Sequence, residues 1–295
     1  MRPDFYSLPT RCIENNHLTV EVLVKDGMRV VGLYPAGSDE NLLVNLPNAG
    51  WETPFGPYHL RGGHRLWHAP EVFPRTYVPD NETSIENLPG GGLRLVQPTE
   101  STTGIHKSIK IELDSSHACL TLRHSLRNDN PWAVTCAPWA ITQLPLGGVA
   151  VLPQAAPVRS QYTPNRQLVL WPYSQWEDPR LHFYNDFLIV DAAAQDWAVK
   201  VGFYNHAGWM GYLRAGYFFV KRFKFNPDKT YPDRNSNAQV YCRDEFVELE
   251  SLGPLDAIDP GQEVTHTETW EIHPAAGFAQ DIAGIRELVK SIQQE

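Results

Sequence analysis

Glu248 and Glu250 stand two residues apart in the stretch Glu245-Phe246-Val247-Glu248-Leu249-Glu250-Ser251-Leu252-Gly253-Pro254. The run is apolar and β-prone, and Gly253-Pro254 stops it. Successive side chains of a strand point to opposite faces, so Phe246, Glu248 and Glu250 share one face and Val247 and Leu249 the other. Two carboxylates on one face cost desolvation unless that face meets solvent or a ligand. The pattern therefore admits two readings, a solvated outer face or a polar cleft with a general base at its centre.

A carboxylate base needs a proton donor. His64, His68, His124 and His206 are the candidates, with His64 placed first. Arg61, Arg65 and Arg75 could bind sugar hydroxyls, or a carboxylate by bidentate contact. They could equally pair with Glu71, Asp80 or Glu82. Trp67, Trp139, Trp171 and Trp209 suit stacking on a ligand ring and also suit a core. His68 and His206 complete the expected substrate contacts. His64 and His68 would make a metal pair only on a helix, and the flanking Gly62-Gly63 and Ala69-Pro70 disfavour one, so no metal is expected. Ser-His-Asp, phosphate-loop and dinucleotide motifs are missing.

The elements that must position these residues are strands. His17–Val24 and Met28–Tyr34 flank the turn Lys25-Asp26-Gly27, and Asn41–Leu46 is a possible third strand. Residues 51–91 carry Pro, Gly, His, Trp and Arg with little periodicity and read as a long functional loop. Strands resume at Gly92–Gln97, Ile105–Leu113, Ala118–Leu126 and Ala133–Leu144, the last with Pro138 inside it, where a bend is expected. Further strands are expected at Val149–Leu152, Phe187–Val190, Trp197–Tyr204, Tyr217–Phe225, Val240–Leu252 and Glu263–Ile272. Ile282, Ile285, Leu288, Val289 and Ile292 recur at helical spacing, the one clear helix. No linker divides the chain. The expectation is a single all-β domain over residues 1–295, a large antiparallel sandwich with a C-terminal α-helix.

Composition narrows the partners. A net charge of −9 with no basic run argues against nucleic acid and anionic membranes. Nine Trp in 295 residues fit either a large core or sugar binding. Cys12, Cys119, Cys136 and Cys242 match no zinc or redox spacing. The last three lie in apolar strand-like runs and read as buried thiols of a reducing, cytoplasmic compartment. Met1-Arg2-Pro3-Asp4-Phe5 carries no apolar secretory segment, which leaves the sequon Asn81-Glu82-Thr83 without weight. A monomer or homodimer is expected.

The C-terminal pattern resembles the galactose mutarotase-like (aldose 1-epimerase) superfamily. The strand with Glu248 and Glu250 runs into Gly253-Pro254. Ile258-Asp259-Pro260-Gly261-Gln262-Glu263 and a strand of alternating Thr ending in Trp270-Glu271-Ile272 follow. The early meander and the Asn130-Pro131 turn fit the same layout. Gly62-Gly63-His64-Arg65-Leu66-Trp67 followed by Ala69-Pro70-Glu71 is similar to an uncharacterised divergent branch. The resemblance implies an antiparallel β-supersandwich, a saccharide ligand, a late catalytic Glu acting with a His, and no cofactor. The sequence departs from the superfamily where its sugar-holding His should stand. There it reads Cys136-Ala137-Pro138-Trp139-Ala140-Ile141-Thr142, with Trp139 near the place of that His. The alternatives implied are a sugar mutarotase, a lyase or hydrolase in the same cleft, or a silent saccharide-binding protein.

Overall fold

The computed structural model describes residues 5–80, 82–160 and 162–293. Residues 1–4 and Asn81 of the sequon lie outside them. Two ten-stranded sheets account for most of the chain, and every pairing in them is antiparallel. The first runs Thr10–Glu14, Leu18–Leu23, Val30–Pro35, His64–Ala69, Val134–Leu144, Val247–Leu252, Ala238–Cys242, Val199–Phe203, Leu168–Leu170. Its tenth strand, Asp256–Ile258, pairs with the start of Val134–Leu144. The second runs Leu181–Phe183, Phe187–Asp191, Val149–Pro153, Trp209–Arg214, Tyr217–Phe223, Glu263–Pro274, Cys119–Asn128, Ile105–Leu113, Leu93–Val96, Ser84–Asn87. A separate hairpin, Asn45–Thr53 with Gly56–Gly62, completes the all-β architecture expected from the sequence.

The sheets face each other across one apolar layer. It contains Leu66, Leu249, Val201 and Val240 from the first sheet and Leu122, Ile109, Phe219 and Trp270 from the second. The outer face of the second sheet carries Val149, Val151, Phe218 and Val220, and the helix Ile282–Ile292 covers it with Ile285, Leu288 and Val289. Each of these helix side chains contributes about 1.5–3 kcal/mol by burial. Asp281 caps the helix by accepting from the Gly284 N–H at 2.9 Å. Trp209, a stacking candidate, lies in this helix-covered layer. Among the described residues no helix is long and apolar enough to cross a membrane.

Three expectations are corrected. Residues 51–91 hold most of the hairpin and the central strand His64–Ala69. All six residues of that strand are buried, polar ones included, so no alternation of polarity betrays it. Val240–Leu252 is two strands joined through Arg243-Asp244-Glu245-Phe246, with the Arg243 N–H donating to the Phe246 carbonyl at 3.1 Å. Cys119 is only half-buried. Pro138 does not shift the register with His64–Ala69. On its other side the strand changes partner there, from Asp256–Ile258 to Val247–Leu252.

Candidate functional site

The outward face of the first sheet carries the site. Arg61, Gly62 and Gly63 are all left-handed, with φ of 59°, 83° and 67°. A Cβ on Gly63 would come within 2.0 Å of the Val30 carbonyl oxygen, so only glycine lets the chain turn in so closely. The strand that follows sends Arg65 and Trp67 outward and His64, Leu66 and His68 inward. Register then aligns outward side chains from neighbouring strands. Arg65 pairs with Ile141, and Ile141 with Glu250. One cross-strand row runs Gln143, Glu248, Tyr241, Lys200.

Over this face lies a cavity of about 330 Å³. Trp51, Trp67, Trp139, Trp171, Tyr173, Tyr241 and Phe246 wall it, and Arg65, Lys200 and Glu248 offer charges to it. Gly202 has no side chain to hold Trp171 off the sheet, and a Cβ there would sit 3.1 Å from the Trp171 ring. Glu248 Oε1 accepts from Arg65 Nη2 at 3.0 Å and from Gln143 Nε2 at 2.9 Å. Among the described residues Glu248 Oε2 has no protein donor. Arg65 stacks on Trp67, 4.3 Å from the ring centroid, and its Nε and Nη1 are buried without a partner.

Glu250 lies deeper. Its Oε2 accepts from Lys200 Nζ and Trp139 Nε1, while its Oε1 is buried with no donor among the described residues. Burial pushes the Glu250 carboxyl up to about 7. Lys200 opposes that rise, and Glu248 adds to it. Lys200 Nζ sits 4.8 Å from the Trp139 ring centroid and 4.7 Å from that of Trp171, between two aromatic faces. Burial, with Glu248 nearby, pushes the Tyr241 phenol up to about 12, so it stays a donor at neutral pH.

An outer chamber of about 470 Å³ adjoins the cavity. Trp51, Glu71, Tyr77 and Trp171 line both, and Phe73 and Asp233 line the outer one alone. Tyr77 donates its phenol proton to Glu71. Asp233, Arg234 and Asn235 are consecutive left-handed residues, with φ of 50°, 59° and 67°. Such residues are costly unless their surroundings hold them. Here Asn235 Oδ1 accepts from the Tyr231 N–H at 2.8 Å, and Asp233 Oδ2 from Gln239 Nε2 at 2.7 Å.

None of the eleven histidines lines either chamber. His64 points between the sheets, where its Nε2 meets His124 Nε2 at 2.8 Å and its Nδ1 meets Thr142 Oγ1 at 2.9 Å. It is therefore on the opposite face from Glu248 and Glu250. His68 meets Glu100 Oε2 at 3.3 Å on that same inner side. His206 is exposed, edge-on to Tyr204 and Phe225. Arg61 donates to the Pro47 carbonyl at 3.0 Å and lies 3.6 Å from Asp26, and Arg75 donates to the Pro70 carbonyl. Of the expected residues the structure brings together Glu248, Glu250, Arg65, Trp67, Trp139 and Trp171. His64, His68, Arg61 and Arg75 are bonded elsewhere, and His206 packs against Tyr204 and Phe225.

Behind the carboxylate strand lies a second polar group, fully enclosed. Lys221 Nζ pairs with Glu268 Oε1 at 2.8 Å and donates to the carbonyls of Ala140 and Leu249. Ser251 Oγ meets His266 Nε2 at 2.6 Å, and Trp270 Nε1 donates to Glu268 Oε2 at 2.9 Å. Burial holds His64, His124 and His266 below the usual imidazole range, His266 at about 3. Ligand atoms of His64, His124 and Glu268 come within 4.8 Å of one another. The Lys221 ammonium already supplies the cation that Glu268 needs there.

Sequence reasoning missed Lys200, Tyr173, Tyr241, Trp51 and Tyr77. Lys200 had a signal, a lone cation inside the apolar run Ala198-Val199-Lys200-Val201. A buried cation in a strand requires a partner carboxylate. The tyrosines and Trp51 carried none.

The sequence matches no protein-family model and no curated protein. Solved structures do match it. A galactose mutarotase-like protein from Lactobacillus casei superposes with a TM-score of 0.52 at 9% identity, over 90% of this chain and 100% of that one. A candidate aldose 1-epimerase from Escherichia coli K12 gives 0.52 at 12% identity, over 91% of this chain and 100% of that one. A TPR-domain containing protein from Parabacteroides distasonis gives 0.61 at 15% identity over 90% of this chain, which spans 48% of that longer one. At such identities the likeness is one of fold, and it bears out the supersandwich expected from the sequence.

Proposed function

We propose, from a fold shared with galactose mutarotase-like proteins, that residues 1–295 act as one carbohydrate-active domain. It binds a saccharide in the aromatic cavity and moves protons on it through Glu248 and Lys200. One observation carries this reading: Glu248 Oε2, without a donor among the described residues, at an aromatic-walled cavity and in the same cross-strand row as Lys200. Two strand spacings separate their backbones, about 10 Å, and both side chains reach into the space over Tyr241. Aromatic planes suit the apolar face of a pyranose, and Arg65 and the tyrosine phenols suit its hydroxyls.

The chemistry that fits is anomeric proton transfer without a cofactor. Glu248 Oε2 takes the proton of the anomeric hydroxyl, and Lys200 gives one to the ring oxygen. The bond between the anomeric carbon and the ring oxygen breaks, leaving an aldehyde. Rotation about the next carbon–carbon bond and the reverse transfers close the other anomer. Glu250, bonded to Lys200 from behind, orients the ammonium. Free thiols at Cys119, Cys136 and Cys242 support a reducing, cytoplasmic setting.

A second reading is a silent saccharide-binding protein. Its support is that both carboxylates already have cation partners and that no histidine lines the cavity. Polarimetry of fresh α-glucose and α-galactose, with calorimetry of the same sugars, separates the two. Accelerated equilibration supports the enzyme, and binding without acceleration supports the silent protein. Neither binding nor acceleration across a panel of mono- and disaccharides would end both.

A further inference from the structure

We propose that the cleft takes an oligosaccharide, with one sugar ring beside Glu248 and a second, uncharged ring in the outer chamber between Phe73 and Asp233. This deepens the saccharide reading above and rests on it. The outer chamber offers about 470 Å³ beside the inner one's about 330 Å³. Trp51, Glu71, Tyr77 and Trp171 line both, so the two chambers adjoin.

A pyranose presents an apolar face bounded by hydroxyls, which calls for an aromatic plane with acceptors beside it. The outer chamber has both. Phe73 is 61% exposed and Trp51 39%. Tyr77 touches both, with ring centroids at 5.8 Å and 5.5 Å, so the three rings form one wall facing solvent. A contiguous exposed aromatic wall marks a surface that something covers. Asp233 also lines this chamber, in a turn left-handed at three successive residues, and its Oδ2 is tied to Gln239. Its other oxygen has no donor among the described residues.

Charge selects the kind of ring. Arg65, Lys200 and Arg243 line the inner chamber and offset its carboxylates Glu71 and Glu248. The outer chamber has the carboxylates of Glu71 and Asp233 and no lysine or arginine among its described lining residues. A uronate or phosphate there would face two like charges, whereas an uncharged ring would donate its hydroxyls to them.

Calorimetry on the full chain tests this with glucose and galactose against maltose, cellobiose and lactose, and with Phe73→Ala and Asp233→Asn. Asparagine tolerates the left-handed backbone, so the second variant keeps the turn. At least one disaccharide should bind about tenfold or more tighter than its monosaccharide. Both variants should lose that ratio while monosaccharide affinity holds. Equal affinity for mono- and disaccharides, or a ratio untouched by both variants, overturns the oligosaccharide inference and leaves the saccharide reading standing. Binding of no sugar in the panel overturns both.

Discussion

Glu250 Oε2 accepts from Lys200 Nζ and from Trp139 Nε1, each at 2.8 Å, in a site that excludes solvent from the carboxylate. Lys200 thus faces the aromatic cavity with a buried carboxyl behind it. The pair is expensive to break singly. Lys200→Met should destabilise the protein by about 3–5 kcal/mol, because Glu250 is left buried and unpaired. Lys200→Met combined with Glu250→Leu should recover most of that loss. Urea denaturation of the four proteins in the cycle gives the answer, and additive losses would show that the two residues are not coupled.

Glu248→Gln keeps shape and the Arg65 contact but removes the carboxylate proposed as base. Equilibration of fresh α-glucose or α-galactose, whichever sugar binds, should slow on the order of 10²–10⁴-fold, while calorimetric affinity is retained. An unchanged rate would move the base elsewhere.

Trp139→Phe removes a donor that opposes the rise of the Glu250 pKa from its ordinary 4.5 to about 7. The Glu250 carboxyl should therefore titrate higher still. Carbon-detected NMR of labelled glutamate reads this directly, and a fall would refute the assigned hydrogen bond.

Stability should rise with pH across the mildly acid range. His64, His124 and His266 are held neutral by burial, His266 down to about 3. In the unfolded chain they take up protons near pH ~6.5. Just below pH ~6.5 the unfolded state thus binds more protons, and each His contributes up to about 1.4 kcal/mol per pH unit until its own lowered folded value is reached, about 3 for His266. Glu250 works the other way between 4.5 and about 7, since its proton stays on in the folded state. Three histidines outweigh one glutamate, so the net slope is positive. Urea midpoints that stay level from pH 7 to pH 5 would contradict the enclosed, neutral cluster.

Gly63→Ala tests the turn that aims Arg65. Its Cβ would lie 2.0 Å from the Val30 carbonyl oxygen at a φ of +67°. The loss should reach about 3 kcal/mol or more, seen as a lowered thermal midpoint.

The sequence by itself determined which side chains share a face. Alternation is a property of consecutive residues, so Phe246, Glu248 and Glu250 on one side, and His266, Glu268 and Trp270 on one side, were legible without a structure. The helix of Ile285, Leu288 and Val289 was legible for the same local reason. The segment His64–Ala69 was not, because both its faces are buried and polar residues fill both. Read as a loop, it allowed His64 and Arg65 to face the carboxylates together. As a strand it forbids that, and His64 joins His124 between the sheets. Only the tertiary structure decided the neighbours. Arg65 reaches Glu248 across 183 residues of chain, Gln143 across 105, and Lys200 reaches Glu250 across 50. Those meetings depend on strand order and register, which are set by the burial of whole sheets against each other, and no short stretch of sequence encodes them.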